Sequence, residues 1–413
     1  MKKYSSPQTR LASQLVPIVC GGPFACFSFC YLYFYQSGYL AQLQYHYSHG
    51  ETTYQPLVGA VLITLPLLLL GAFCHKVVRW PLRFCAVAWF PPAFLLAAVT
   101  SLRFAELPGY DAGTPVAALL LSLAAFLAVT CLCLMHPDAS GERGTLCGYL
   151  SSNTFILSLL FMMTGSIGYS SVPGHHELRM GRLLQEGQYD QAVRCCADTA
   201  GVTPRLFALR AAALAQMGEL GNSLFEYPVP QGVRTLMPAQ SDSQFVYDAL
   251  PMLYRRMRAV PRSGTAFREQ VFLANVLEAD SLPRPLALDY LLCSHLLRGE
   301  LRDFRHQLVR HADSLSTSLP RHYREALVLV RHTFMVHLVS TADGVLSPIH
   351  PSRESREVMA ALLYEDEEME ASYRRYERLR EAAHSGSAEV IDSLAAYQDT
   401  YWAYYSSRFL GHK

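Results

Sequence analysis

Charge is scarce at the start of this chain. Residues 1–170 hold eight basic and five acidic side chains, which leaves 27 basic and 29 acidic residues for 171–413. A strong overall charge is missing as well. Thirty-five basic residues stand against 34 acidic ones, for a net charge of +1, and this excludes the basic signature of a protein whose main partner is nucleic acid. The usual catalytic signatures are also absent. There is no Gly-x-x-x-x-Gly-Lys-Ser/Thr phosphate loop, no His-Glu-x-x-His zinc helix and no Gly-x-Ser-x-Gly nucleophile turn. The residues therefore favour a role without catalysis and imply no cofactor.

Cysteine is thin where a disulfide framework would need it. After residue 170 the chain has only Cys195, Cys196 and Cys293. One bridge from Cys195 or Cys196 to Cys293 stays open. On one helix the vicinal pair would point about 100° apart, so at most one of them would face Cys293.

What is present in the first part is apolar length. Stretches at about 11–35, 57–74, 84–102, 115–135 and 149–167 contain no charged residue and no histidine. Each reaches or approaches the roughly 20 apolar residues with which a helix crosses a bilayer, and five spans are expected. Gly21, Gly22 and Pro23 interrupt the first, and Pro91 and Pro92 should kink the third. No small-x-small cleavage site follows the first stretch, so it is read as an anchor and not as a signal peptide. The polar run Ser151, Ser152, Asn153 and Thr154 is expected to face other helices instead of lipid. With the N-terminus inside, seven Lys or Arg residues fall in the inner connections and only Arg103 in an outer one. An odd number of spans then puts everything after Ile167 outside, in the periplasm of a Gram-negative cell. Without ionisable groups inside the spans, a proton-relay transporter is the weakest reading.

One outer loop has chemical potential. His46, His49 and Glu51 lie within six residues of each other, amid Tyr45 and Tyr47. Imidazole and carboxylate are common metal ligands, and Glu51 is the candidate catalytic acid of a membrane transferase. Tyrosine and histidine at a bilayer surface are also what an interfacial aromatic belt contains. That plainer reading is preferred, because a zinc site wants three or four ligands.

Residues 171–413 read as a soluble domain of short amphipathic helices. The segment Gly187, Gln188, Tyr189 and Ala192, with Pro204 twelve residues after the alanine, has the turn pattern of a tetratricopeptide hairpin. Glycine permits the tight turn, the aromatic ring wedges between the helices and alanine lets them approach. Similar turns are expected at Gly218 and Gly299. The spacings of 31 and 81 residues make this a degenerate array, not a strict repeat. Helices are predicted over 243–258, 265–279, 284–298, 301–315, 320–337, 353–363 and 367–383, with a terminal helix over 397–409. The run Glu365, Asp366, Glu367, Glu368 reads as a solvated helix start.

Apolar spans, the Tyr45-His46-Tyr47 loop, Gly187-Gln188-Tyr189, and Gly218-Glu219-Leu220 leading through Leu224, Phe225, Glu226, Tyr227 and Pro228 to Gln231 and Gly232 form a combination. It resembles an uncharacterised family of bacterial multi-span membrane proteins with tetratricopeptide-like tails. The resemblance implies location and shape and supplies no catalytic residues. The expected fold is all-α: a five-span transmembrane bundle (1–170), then a tetratricopeptide-like α-solenoid (171–413). The expected function is a scaffold or adaptor, held in the lipid bilayer of the bacterial inner membrane, that binds a protein or peptide at its outer face. An envelope-modifying or lipid-linked glycosyl transferase, or its accessory subunit, is the alternative.

Overall fold

The computed structural model describes residues 7–78, 80–102, 114–135, 145–195, 201–238, 245–261, 268–279, 284–311, 319–340, 366–383 and 388–410. Among these every regular element is helical. The chain divides into two compact units, Met1–Leu178 with Gln244–Val246, and Arg179–Ser243 with Tyr247–Lys413.

The first unit holds α1 (Pro7–Cys30), which runs into a π-helical turn at Tyr31–Tyr35, then α2 (Ser37–Tyr47) and α3 (Pro56–Val77). A 3-10 segment, Leu82–Trp89, leads into α4 (Phe90–Thr100), followed by α5 (Thr114–Met135) and α6 (Leu146–Ile167). Four helical stretches, Leu15–Tyr35, Pro56–Val77, Leu82–Thr100 and Leu146–Ile167, are long and apolar enough to cross a membrane. A fifth apolar stretch, Val116–Cys131, is shorter within the described residues. Leu62, Leu69, Leu121 and Phe155 lie more than half exposed on the outer faces of these helices, where only a lipid environment removes them from water. The protein is thus a membrane protein.

Small residues set the packing of the spans. The Trp89 ring lies over α1 and α3, where a Cβ on Gly71 would come within 2.4 Å of it and one on Gly21 within 3.2 Å. Phe24 lies tilted against the same indole, with ring centroids 4.8 Å apart. Pro91 and Pro92 occupy the first turn of α4, where proline needs no N–H partner, so the irregularity falls ahead of them, in the 3-10 segment. Irregular backbone beside hydrocarbon leaves polar groups to satisfy. Asn153 of α6 does this: its Oδ1 accepts the Ala86 N–H at 2.7 Å, and its Nδ2 donates to the Leu82 and Tyr149 carbonyls, each at 2.7 Å. Of the polar run in α6, Asn153 alone is buried, while Ser151 and Thr154 are exposed.

The second unit comprises the later part of α7 (Val172–Gln185), α8 (Tyr189–Arg194), α9 (Pro204–Met217), α10 (Leu220–Ser223) and α11 (Leu250–Met257). It continues with α12 (Glu269–Glu278), α13 (Pro285–Arg298), α14 (Leu301–Arg310) and α15 (Arg321–Ser340). The last helices are α16 (Glu367–Ala383), α17 (Ala388–Ala395) and α18 (Tyr401–Tyr405), with a second π-helical turn at Ser406–Leu410. One apolar core runs from Met180 to Trp402 through Phe207, Leu253, Leu292 and Phe304.

Several element boundaries differ from expectation. Helix α11 starts at Leu250, not at residue 243, because Pro251 sits in its first turn and the Asp248 carboxylate accepts the Leu250 N–H at 2.9 Å. Helix α14 stops at Arg310, short of residue 315. The single helix expected over 397–409 is a short α-helix capped by Thr400, followed by the π turn. The predicted helix 353–363 and the residues Cys196 and Glu365 lie outside the described residues. Asp366 caps α16, its Oδ1 accepting the Met369 N–H at 3.1 Å, and meets Arg324 at 2.9 Å.

Candidate functional site

His46, His49 and Glu51 lie between the first two apolar stretches. His46 closes α2 and meets Tyr47 edge to face at 5.5 Å. His49 has a left-handed backbone, φ 51°, and the Glu51 N–H donates to the Ser48 carbonyl at 3.0 Å. Among the described residues, the set of three metal-ligating side chains whose donor atoms lie within 4.8 Å of one another is His295, Glu300 and Asp303.

The turn residues of the tail share one geometry. Gly187, Gly218 and Gly299 have φ of 73°, 79° and 71°. Each N–H bonds three residues back, and the next N–H bonds five residues back, as in Gln188 to Leu183, Glu219 to Leu214 and Glu300 to His295, each at 2.9 Å. This is the double closure of a Schellman cap, and it needs a left-handed residue that glycine supplies without a Cβ clash. Tyr189 packs against the core, Ala192 is fully buried and Pro204 opens α9 behind the Thr203 cap. Cys293 is a buried free thiol 3.5 Å from the Tyr323 hydroxyl and is not bridged to Cys195.

The Gly299 turn borders an open cleft of about 590 Å3 in the second unit. Arg298 comes from the end of α13, Glu300 from the start of α14, and Arg234 from the segment after Gly232. Ser407, Arg408 and Phe409 come from the π-helical turn, whose wider backbone circuit carries three successive residues to the rim. Two of the guanidinium groups are held by backbone: Arg298 Nε donates to the Arg234 carbonyl at 3.1 Å and an Arg408 terminal nitrogen to the Pro230 carbonyl at 3.2 Å. The cleft's acid, Glu300, accepts from Gln270 Nε2 at 2.8 Å, lies 2.9 Å from His295 Nδ1 and stands 4.0 Å from Arg298. Burial pushes its carboxyl up, yet Gln270, His295 and Arg298 together outweigh that and hold it below the ordinary carboxylate value. With the amide and the guanidinium already on it, the His295 and Glu300 pair is a fixed network that positions Glu300.

Deeper in the unit lies Glu269, which is fully buried and accepts the Leu236 N–H at 2.9 Å. Desolvation pushes its carboxyl up to about 8 against the pull of that N–H and of Arg298. Asp289 is raised to about 6 by burial, while the Tyr323 hydroxyl that donates to it pulls the other way.

Sequence reasoning missed a second buried network. Glu325 Oε2 accepts the Tyr401 N–H at 2.7 Å and lies 2.9 Å from His322 Nδ1, and its Oε1 accepts from Arg321 Nε at 2.9 Å. His322 Nε2 in turn accepts the Phe225 N–H at 3.3 Å. The pair resembles the base and orienting acid of a hydrolase, but its outer nitrogen is taken up by backbone and both side chains are buried, so it works as a clamp. The signal was in the sequence as Arg321, His322 and Glu325, spaced i, i+1 and i+4.

The family described as "Family of unknown function (DUF6057)" matches residues 114–257 and 248–408, and the chain belongs to it. The match takes in α5, α6 and the cleft residues from Gln231 to Arg408. No curated protein and no solved structure matches the chain.

Proposed function

We propose that the chain is a membrane-anchored helical adaptor whose tail holds a protein or peptide partner at the outer face of the bacterial inner membrane. The observation that carries this reading is the set of three glycine-closed helical turns, at Gly187, Gly218 and Gly299, built on one continuous core. Helical hairpins stacked on a shared core leave successive helix faces open, and such surfaces serve chiefly for binding. The excess of Lys and Arg in alternate connections supports an inside N-terminus, and five crossings would then put the tail outside.

The test uses the full chain in its own membrane. A photo-crosslinking residue at Val271 or Ile391, exposed apolar positions of the tail, should give one and the same discrete protein adduct, and one at the outward-facing Val58 of α3 should not. A C-terminal accessibility tag should be labelled from outside. Properly inserted protein that gives no protein adduct from either tail position overturns the adaptor reading, and a tag labelled only from inside overturns the placement.

A further inference from the structure

We infer that the arginine cleft is a binding site for a phosphoryl dianion carried on an organic body. The inference is independent of the adaptor reading. It starts from a local charge imbalance. From residue 171 onward the chain has two more acids than bases, yet this cleft gathers three guanidinium groups around one carboxylate. Among the described residues, Arg234 and Arg408 meet no carboxylate, and Arg298 has only the 4.0 Å approach of Glu300. Glu300 is itself shared with Gln270 and His295.

A second cleft in the same unit shows what paired arginines look like. There Arg321 meets Glu226, Glu325 and Asp399 at 3.4, 2.9 and 3.0 Å, and Arg324 meets Asp366 at 2.9 Å. Its positive charge is spent within the fold. In the Arg234, Arg298 and Arg408 cleft the positive charge is left over.

The kind of anion follows from charge and shape. Three guanidiniums less one carboxylate leave about two positive charges, the charge of a phosphomonoester near neutral pH and not that of a single carboxylate. Guanidinium offers a planar fork of donors that matches phosphoryl oxygens two at a time, and two of these forks are already anchored to backbone carbonyls. The cleft is also too large for a bare ion. About 590 Å3 falls in the range of small-molecule sites, and the Phe409 ring on its wall offers a stacking surface for an apolar or aromatic body. A soluble phosphomonoester and the phosphate of a lipid headgroup share this chemistry.

Calorimetric titration of the full chain in detergent tests the site with phenyl phosphate and with phenylacetate, which presents a ring with half the charge. A parallel arm compares thermal stabilisation in nanodiscs containing phosphatidic acid with that in phosphatidylcholine alone. Phenyl phosphate, phosphatidic acid or both should bind saturably, and phenylacetate at least roughly tenfold more weakly than phenyl phosphate. Arg234→Gln and Arg408→Gln should each weaken binding roughly tenfold or more, the usual effect of losing a charge-assisted hydrogen bond. Arg408→Lys should fall in between, because it keeps the charge and loses the fork. Binding should also decline below about pH 6, where the phosphomonoester takes up its second proton. Phenyl phosphate alone assigns a soluble ligand and phosphatidic acid alone a headgroup. Three results overturn the site: no binding in either arm, equal affinity for phenylacetate and phenyl phosphate, or unchanged binding in a folded Arg234→Gln/Arg408→Gln variant.

Discussion

Glu269 shows how one buried group sets the pH response of a domain. Its carboxyl sits at about 8 in the fold, against 4.5 ordinarily, because burial disfavours the anion. A raised carboxyl contributes stability that is fully present below its ordinary value and is lost as pH rises through the folded one. Asp289, raised to about 6, acts in the same direction over a lower window. The melting temperature of the tail unit should therefore fall between about pH 5 and 8. Glu269→Gln, which keeps the shape and cannot ionise, should remove most of the decline above pH 6. A pH series of thermal melts on both proteins checks this, and parallel slopes would contradict it. Nothing in the residues around position 269 announces such a site. Glu269 looks like any acid in the first turn of an amphipathic helix, and it is buried because the segment carrying Leu236 lies over it.

At the scale of elements, turn chemistry was the most legible part of the chain, because it is local. A glycine at the end of an apolar helical run requires no tertiary information, and the left-handed backbones of Gly187, Gly218 and Gly299 follow from a few neighbouring residues. Two of these turns make a controlled pair. A Cβ at Gly218 would meet nothing within 4 Å, while one at Gly299 would come within 2.8 Å of the Phe409 ring. Gly218→Ala should therefore cost only the left-handed penalty, about 1 kcal/mol, and Gly299→Ala that amount plus displacement of Phe409. Chemical denaturation of the two variants measures the difference, and equal losses would mean that the ring yields freely. Longer-range features were hidden. The 3-10 entry to α4 depends on Asn153, which is 67 residues from the Ala86 N–H it satisfies. Asn153 was expected to face inward together with its polar neighbours, yet only one position of that run points at an unsatisfied backbone group.

For the molecule as a whole, the contrast between a charge-poor and a charge-rich half carried most of the architecture. It separates apolar helices from amphipathic ones, while the compact units divide after Leu178, with Gln244–Val246 belonging to the first. The cleft could not be read this way, since Arg234, Arg298 and Arg408 are scattered singly through the sequence and become a group only in the fold. What ties the tail together is equally non-local. Tyr401 and Tyr404 donate to the Leu296 and Leu297 carbonyls from 105 and 107 residues away, and the Trp402 indole donates to the Glu325 carbonyl from 77 away. An ideal helical solenoid touches only its nearest repeats and can melt from its ends one unit at a time. Here the carbonyls near the end of α13 are closed by α18, more than a hundred residues further along the chain, so fraying of α18 exposes the middle of the domain at once. Denaturant titrations followed by tryptophan fluorescence and by far-ultraviolet circular dichroism should therefore trace one coincident transition for the tail. Separate midpoints would show the hairpins unfolding independently. Closing such distant contacts also makes assembly of this domain slow relative to a chain of local hairpins, with α9 to α15 waiting, partly exposed, for residues 401–405 to arrive.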